Sequence, residues 1–369
     1  MSKRFTTCTP LFRLLLVVLL LAFHAVAQDP ASQIKTEMER LQQSLKEKPI
    51  TNPDFPNLNS MIENTLAEVR NALNAGRLYL SLEKLDQATN LLHGARVADE
   101  KAEAVKSGLP AFEAEWGKAS LELTALDEKT RRRDWSHAHV AIRAISEAAQ
   151  GKAIPLMEGS RGFATATQPK DGLFYLGQAQ GESEFATFVF GLALPRKTAP
   201  FPLRSMLPEI ARLQEKTNAA FQPPRSIDLH PRFIALNSTL KLAGELDASR
   251  SYAGALYEYL EATRHYGMLD ATAPDAAKQA QLKEAIAAAR KQLDSSRRDD
   301  SIAQIFLERA QSHIAHTDGS APSADEWRSA QVILEQVLPA YFAAAKPAAP
   351  LQKAKGITTT VTLVRWPYT

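Results

Sequence analysis

The chain has 369 residues, with 44 Lys and Arg against 41 Asp and Glu, and one cysteine, Cys8. A single cysteine excludes an internal disulfide framework, and its removal with the leader described below would exclude any Cys-ligated zinc or iron–sulfur centre. Lys3, Arg4 and Arg13 account for the basic excess, so the rest of the chain is balanced in charge and its bulk gives no reason to expect nucleic acid.

Residues 1–27 read as a secretory signal peptide. A basic start leads into an apolar run from Leu14 to Phe23, and Ala25-Val26-Ala27 supplies a small-x-small pattern, with cleavage expected after Ala27. The run is shorter than the roughly 20 apolar residues that cross a bilayer, so no retained anchor is expected. Cys8 precedes the run, on the wrong side for lipid attachment. Its loss with the leader leaves no thiol for catalysis. The signal-peptide style points to a bacterial host and to a periplasmic or secreted protein.

Roughly 340 residues then make one large or two ordinary domains, rich in helix-forming Ala, Leu, Glu, Lys, Gln and Arg. The expected organisation is an N-terminal helical domain over 28–194, a Pro-rich connecting region over 195–231, a C-terminal helical domain over 232–345, and a Pro/Ala linker with an extended tail over 346–369. Ile34, Met38, Leu41 and Leu45 lie on one face of a first helix, which Pro49, Pro53 and Pro56 end. A long helical pattern runs from Leu58 to Leu92, with Gly76 as a break. Phe112, Trp116, Ala119, Leu123 and Leu126 mark a helix after Pro110, and Arg131-Arg132-Arg133-Asp134 reads as its solvated end. The helix resumes at His137.

Phe174, Tyr175, Phe185, Phe188 and Phe190 crowd the most aromatic stretch, where two short helices joined near Gly181 are predicted. Packed core is one reading of these rings and a ligand cleft is the other. After the prolines around one helix at 203–221, further helices are predicted over 232–247, 251–268, 274–293, 300–316 and 324–345. Asp300-Ser301 and Ser323 serve as N-caps.

In LKLAGELDASRSYAGALYEYLEA, Leu242-Ala243, Leu246, Ala255, Tyr259 and Ala262 alternate small and large apolar residues at helical-hairpin spacing. This stretch, over 240–262, resembles a tetratricopeptide repeat. Leu73, Ala75, Arg77 and Tyr79 align with Leu246, Ala248, Arg250 and Tyr252 as a loose second copy, and Ala330, Leu334 and Val337 fit half of a third. The copies do not recur at the 34-residue period of a regular array. The resemblance implies stacked antiparallel hairpins and a scaffold that binds proteins or peptides, with no chemistry of its own.

No motif for phosphate binding, zinc proteolysis or a nucleophile elbow is present. No cofactor is implied. His137 and His139 fall on different helix faces. His313 and His316, with Asp318 beyond, form the best metal-like grouping, and the helix dipole explains those histidines as well. Glu182 and Glu184 are the one carboxylate pair beside the aromatic stretch.

The tail, Ile357 to Trp366, is β-branched and strand-like, and a lone strand needs a partner for its backbone. It packs on its own helices, adds to a partner's sheet, or orders on meeting a partner. The expected fold is therefore all-α: stacked helical hairpins, tetratricopeptide-like or an irregular bundle, with an extended C-terminal tail. The expected function is a non-enzymatic scaffold for another envelope protein or peptide, with Phe174, Tyr175, Leu363, Arg365, Trp366 and Tyr368 at its contacts. The alternative is a secreted enzyme or small-ligand binder with its cleft in the 173–190 segment. A broad groove marks the first; converging titratable groups mark the second.

Overall fold

The structure is a computed structural model that describes residues 29–346 except 193, 197, 317 and 318. The signal-peptide reading and the tail residues Leu363, Arg365, Trp366 and Tyr368 lie outside the described residues. The fold is all-α, and among the described residues there is no strand. In chain order the helices longer than one turn are α1 (Pro30–Glu47), α2 (Leu58–Asn74), α3 (Leu78–Lys101), α4 (Leu109–Arg132), α5 (Val140–Ala166), α6 (Leu173–Gly191), α7 (Leu207–Ala220), α8 (His230–Ala248), α9 (Tyr252–Gly267), α10 (Ala276–Asp294), α11 (Ser301–Ile314) and α12 (Ala324–Val332). The last continues through a π-helical stretch, Ile333–Val337, into α13 (Leu338–Ala344).

The predicted stripe of α1 is buried at each of Ile34, Met38, Leu41 and Leu45. One connected apolar core runs from Ile34 to Ala345 and takes Phe201, Met206, Ile210 and Leu213 from the Pro-rich region. The long 58–92 pattern does break at Gly76, whose φ of +67° suits glycine. There the chain turns with Arg77 N–H donating to Ala72 O and Gly76 N–H to Leu73 O. The α8–α9 turn repeats that pattern, with Ser251 N–H donating to Leu246 O and Arg250 N–H to Asp247 O. The two turns therefore match with Gly76 opposite Arg250, one residue away from the register of the sequence alignment. Arg250 takes the left-handed conformation there, with φ +66°.

Gly181 does not divide the aromatic segment into two helices. α6 is continuous because its glycines serve close packing against α3. A Cβ on Gly177 would lie 2.4 Å from the carbonyl oxygen of His93, and one on Gly181 2.7 Å from Asn90 Oδ1. The aromatic side chains pack within the chain: Phe174 stacks on Phe55 at 4.8 Å, and Tyr175 on Phe163 at 4.6 Å.

Helix N-termini leave backbone N–H groups without intrahelical partners. Ser323 caps α12 as predicted, in a capping box with Glu326. Asp300 makes no such cap; its carboxylate is taken by Arg298, Ser296 and the Tyr341 hydroxyl. Several other N-termini are capped from afar. Glu308 on α11 accepts from Tyr79 N–H at 2.8 Å and Leu80 N–H at 3.0 Å, at the start of α3. Asp299 and Ser301 accept from Val140 and Ala141 at the start of α5. Glu147 accepts from Gly254 in α9, and Asp247 from Met206 ahead of α7.

Two stability tests follow. Gly177→Ala forces a Cβ onto a backbone carbonyl and should lower unfolding free energy by about 2–4 kcal/mol. Gly117→Ala, with nothing within 4 Å of the added Cβ, should be neutral or gain up to about 1 kcal/mol. Denaturant titration of both separates close packing from helix propensity. Glu308→Ala at pH 6 leaves two buried N–H groups without an acceptor and should cost about 2–4 kcal/mol in the same assay.

Candidate functional site

Two concavities lie on opposite sides of α5. The larger, about 1700 Å³, runs between α4, α5 and the α8–α9 turn. α5 and α8 meet at its floor because Gly151 has no side chain: a Cβ there would sit 2.8 Å from Leu242. Leu242, Leu246, Met157 and Trp116 line the groove, and Ile154 stands in it 49% exposed. Trp116 is held by its indole N–H, which donates to Met157 O at 2.9 Å. The rims mix both signs of charge. Five acids, Glu113, Asp127, Glu147, Glu158 and Glu245, stand among four arginines, Arg131, Arg143, Arg161 and Arg250, and Arg161 pairs with Glu113 at 2.7 Å.

The second is a charged cleft of about 690 Å³, lined from α3, α5, α6, α8, α9, α11 and α12. The α3–α6 glycine contacts bring its acids together. Asn90 Nδ2 donates to Asp86 Oδ1 at 3.1 Å and to Glu182 Oε1 at 2.7 Å. Lys152 Nζ lies 3.6 Å from Asp86. Glu258 on α9 is 3% exposed, forms no ion pair or hydrogen bond among the described contacts, and leaves Oε1 buried without a partner. Deeper structural pairs close one side: Arg309 binds Glu83 at 2.8 Å and also Glu261, which Arg264 contacts at 2.9 Å.

Burial shapes the protonation states. It pushes Glu258 up to about 7, with Lys152 holding it back in part. Burial also raises Asp86, and it raises Glu182 well above the ordinary range, aided by the Asp86 charge. Desolvation would lower Lys152, but Asp86, Glu182 and Glu258 outweigh it and hold the ammonium charged. Glu261 is held well below its usual value because Arg309 and Arg264 overcome its burial. Burial, with Arg264 and Arg309 close by, lowers His265 and His313 to about 4, so both are neutral at pH 7.

The predicted site residues fall as follows. Phe174 and Tyr175 are half-buried and stack within the chain, away from both concavities. Glu182 and Glu184 part company: Glu182 enters the cleft, while Glu184 pairs with Arg40 and with His93 at 2.9 Å. His313 lines the cleft. His316 turns away to Ser320 at 2.7 Å and Glu326 at 2.8 Å, and Asp318 lies outside the described residues. Among the described residues no group of three or more His, Cys, Asp or Glu could hold a metal ion. Asp86, Lys152 and Glu258 were missed by sequence reasoning. No family model, curated protein or solved structure matches the chain.

The Glu258 shift has a consequence for stability. Its folded-state value lies above its unfolded value near 4.5, so its contribution is whole below pH 4.5 and is lost as pH rises through 7. Glu258→Gln should match the wild type at pH 4 and exceed it at pH 8, by at most about 3 kcal/mol at 1.36 kcal/mol per pH unit. Thermal melts at the two pH values check this; a variant less stable at pH 8 contradicts it.

Proposed function

We propose that the chain is an exported, non-enzymatic helical scaffold that holds an amphipathic segment of another envelope protein, or a peptide, in the α4–α5–α8 groove. The observation that carries the reading is the groove itself. At about 1700 Å³ it exceeds the roughly 300–1,000 Å³ typical of small-molecule pockets. Its floor offers apolar and aromatic anchor sites, the usual carriers of binding energy at protein interfaces. Its lining carries both signs of charge, five acids and four arginines, which favours a mixed polypeptide over a polyanion or polycation. Export rests on the pattern of residues 1–27. Among the described residues no helix is long and apolar enough to cross a membrane.

The test is selection from a random peptide library on the folded chain, followed by affinity measurement. Selected peptides should carry apolar anchors and should lose tenfold or more in affinity to Ile154→Glu. That residue is exposed, so its substitution leaves the core intact. Failure to enrich any peptide, or equal affinity for Ile154→Glu, rejects the groove as the docking surface.

A further inference from the structure

We propose that the charged cleft binds a primary ammonium group, with Glu258, Glu182 and Asn90 as its acceptors. Three carboxyl groups, those of Asp86, Glu182 and Glu258, surround one ammonium, that of Lys152. The set lacks positive charge. It also lacks donors: Asn90 Oδ1, Glu182 Oε2 and Glu258 Oε1 are buried without hydrogen-bond partners. Both glutamates are more than nine-tenths buried and line the cleft, Glu182 at 4% exposure and Glu258 at 3%. Buried acceptors of this kind are costly unless something satisfies them. A primary ammonium brings three N–H donors and one positive charge, which answers both deficits together. A hydroxyl would bring a donor without the charge. An anion would meet the carboxyls of Asp86, Glu182 and Glu258. The cleft volume, about 690 Å³, suits a small molecule or one long side chain.

In the free protein, protons fill the gap. Burial raises both the Asp86 and Glu182 carboxyls, and Glu182 is raised further beside the Asp86 charge, so a proton stays on that pair. Glu258 feels Lys152 from α5, Asp86 from α3, Arg309 from α11 and Glu261 from its own helix. Glu182 from α6, Arg232 from α8 and Glu326 from α12 face the same cleft. An incoming ammonium replaces those protons, so binding releases protons to the buffer and strengthens as pH rises from 6 to 8.

The ammonium could belong to a free amine or to a lysine side chain of a bound polypeptide. Calorimetric titration of the full chain with 1,5-diaminopentane, and with a capped Gly-Lys-Gly peptide beside its norleucine analogue, distinguishes the two sources. The expected result is saturable binding of the diamine, the lysine peptide or both. Proton release should appear as a dependence of the measured heat on the buffer's ionisation enthalpy. Glu258→Gln should weaken binding tenfold or more, with its fold verified by circular dichroism, and Gly117→Ala, which lines neither concavity, should leave it unchanged. Binding of the diamine alone assigns a small amine; binding of the lysine peptide and not its analogue assigns a side chain. No binding of either probe, or equal binding by Glu258→Gln, overturns the proposal.

Discussion

The architecture depends on acids of one helix capping the N-termini of others. The residues ahead of α3, α5, α7 and α8 are Arg77, His139, Met206 and Leu229, none of which makes a side-chain cap. At three of these starts the acceptor comes from elsewhere in the chain: Glu308 for α3, Asp299 with Ser301 for α5, and Asp247 for α7. Glu308 and Tyr79 are 229 residues apart in sequence. Such a bond satisfies a backbone donor and complements the helix dipole, but it also fixes where one helix end meets another. α11 is placed this way twice, by Glu308 on α3 and by Ser301 on α5. The packing of central α3 and α5 against α11 is thus set by hydrogen bonds as much as by apolar fit.

Glycine contacts supply the second positional constraint, and together the two create the cleft. Gly177 and Gly181 let α6 press against α3, which places Glu182 within reach of Asn90 and beside Asp86. Gly254 lets α9 approach Glu147 on α5, where a Cβ would lie 2.8 Å from the Glu147 Cβ. Glu147 then caps α9, and that anchorage sets the position of Glu258 one turn further along. The acids of the cleft converge because helix backbones are unusually near one another. Low exposure follows from the same closeness, and with it the raised proton affinity of the carboxyls.

Much of the helical layout was legible in the sequence because amphipathic periodicity reports burial directly. The α1 stripe, the Gly76 turn and the Ser323 cap are read from neighbours within a few residues. Long-range capping is not readable that way, since Tyr79 carries no mark of Glu308. The glycines of α6 misled for a related reason: a helix break and a close helix contact both call for glycine, and only the partner helix decides between them. A signal for the cleft was present in α9. LYEYLEAT holds Glu258 and Glu261 at positions buried with their neighbours, on a helix that has almost no exposed face. Acids inside such an all-round buried helix point to pairing or to a site. Nothing local distinguishes Glu261, which Arg309 and Arg264 neutralise, from Glu258, which has no such partner.

That distinction separates structural from functional charge in this molecule. Glu147, Glu261, Glu308, Asp247 and Asp299 are buried and each meets donors that account for its burial. Glu258 is as deeply placed and meets none. A buried acid with no partner lowers stability whenever it ionises, and an amide in its place would remove that penalty. It also stands on the face of α9 opposite Lys152, so α5 carries Ile154 and Gly151 toward the groove and Lys152 toward the cleft on one rigid helix. The two concavities therefore share a wall, and the side chains that define each are held in place by the same packing.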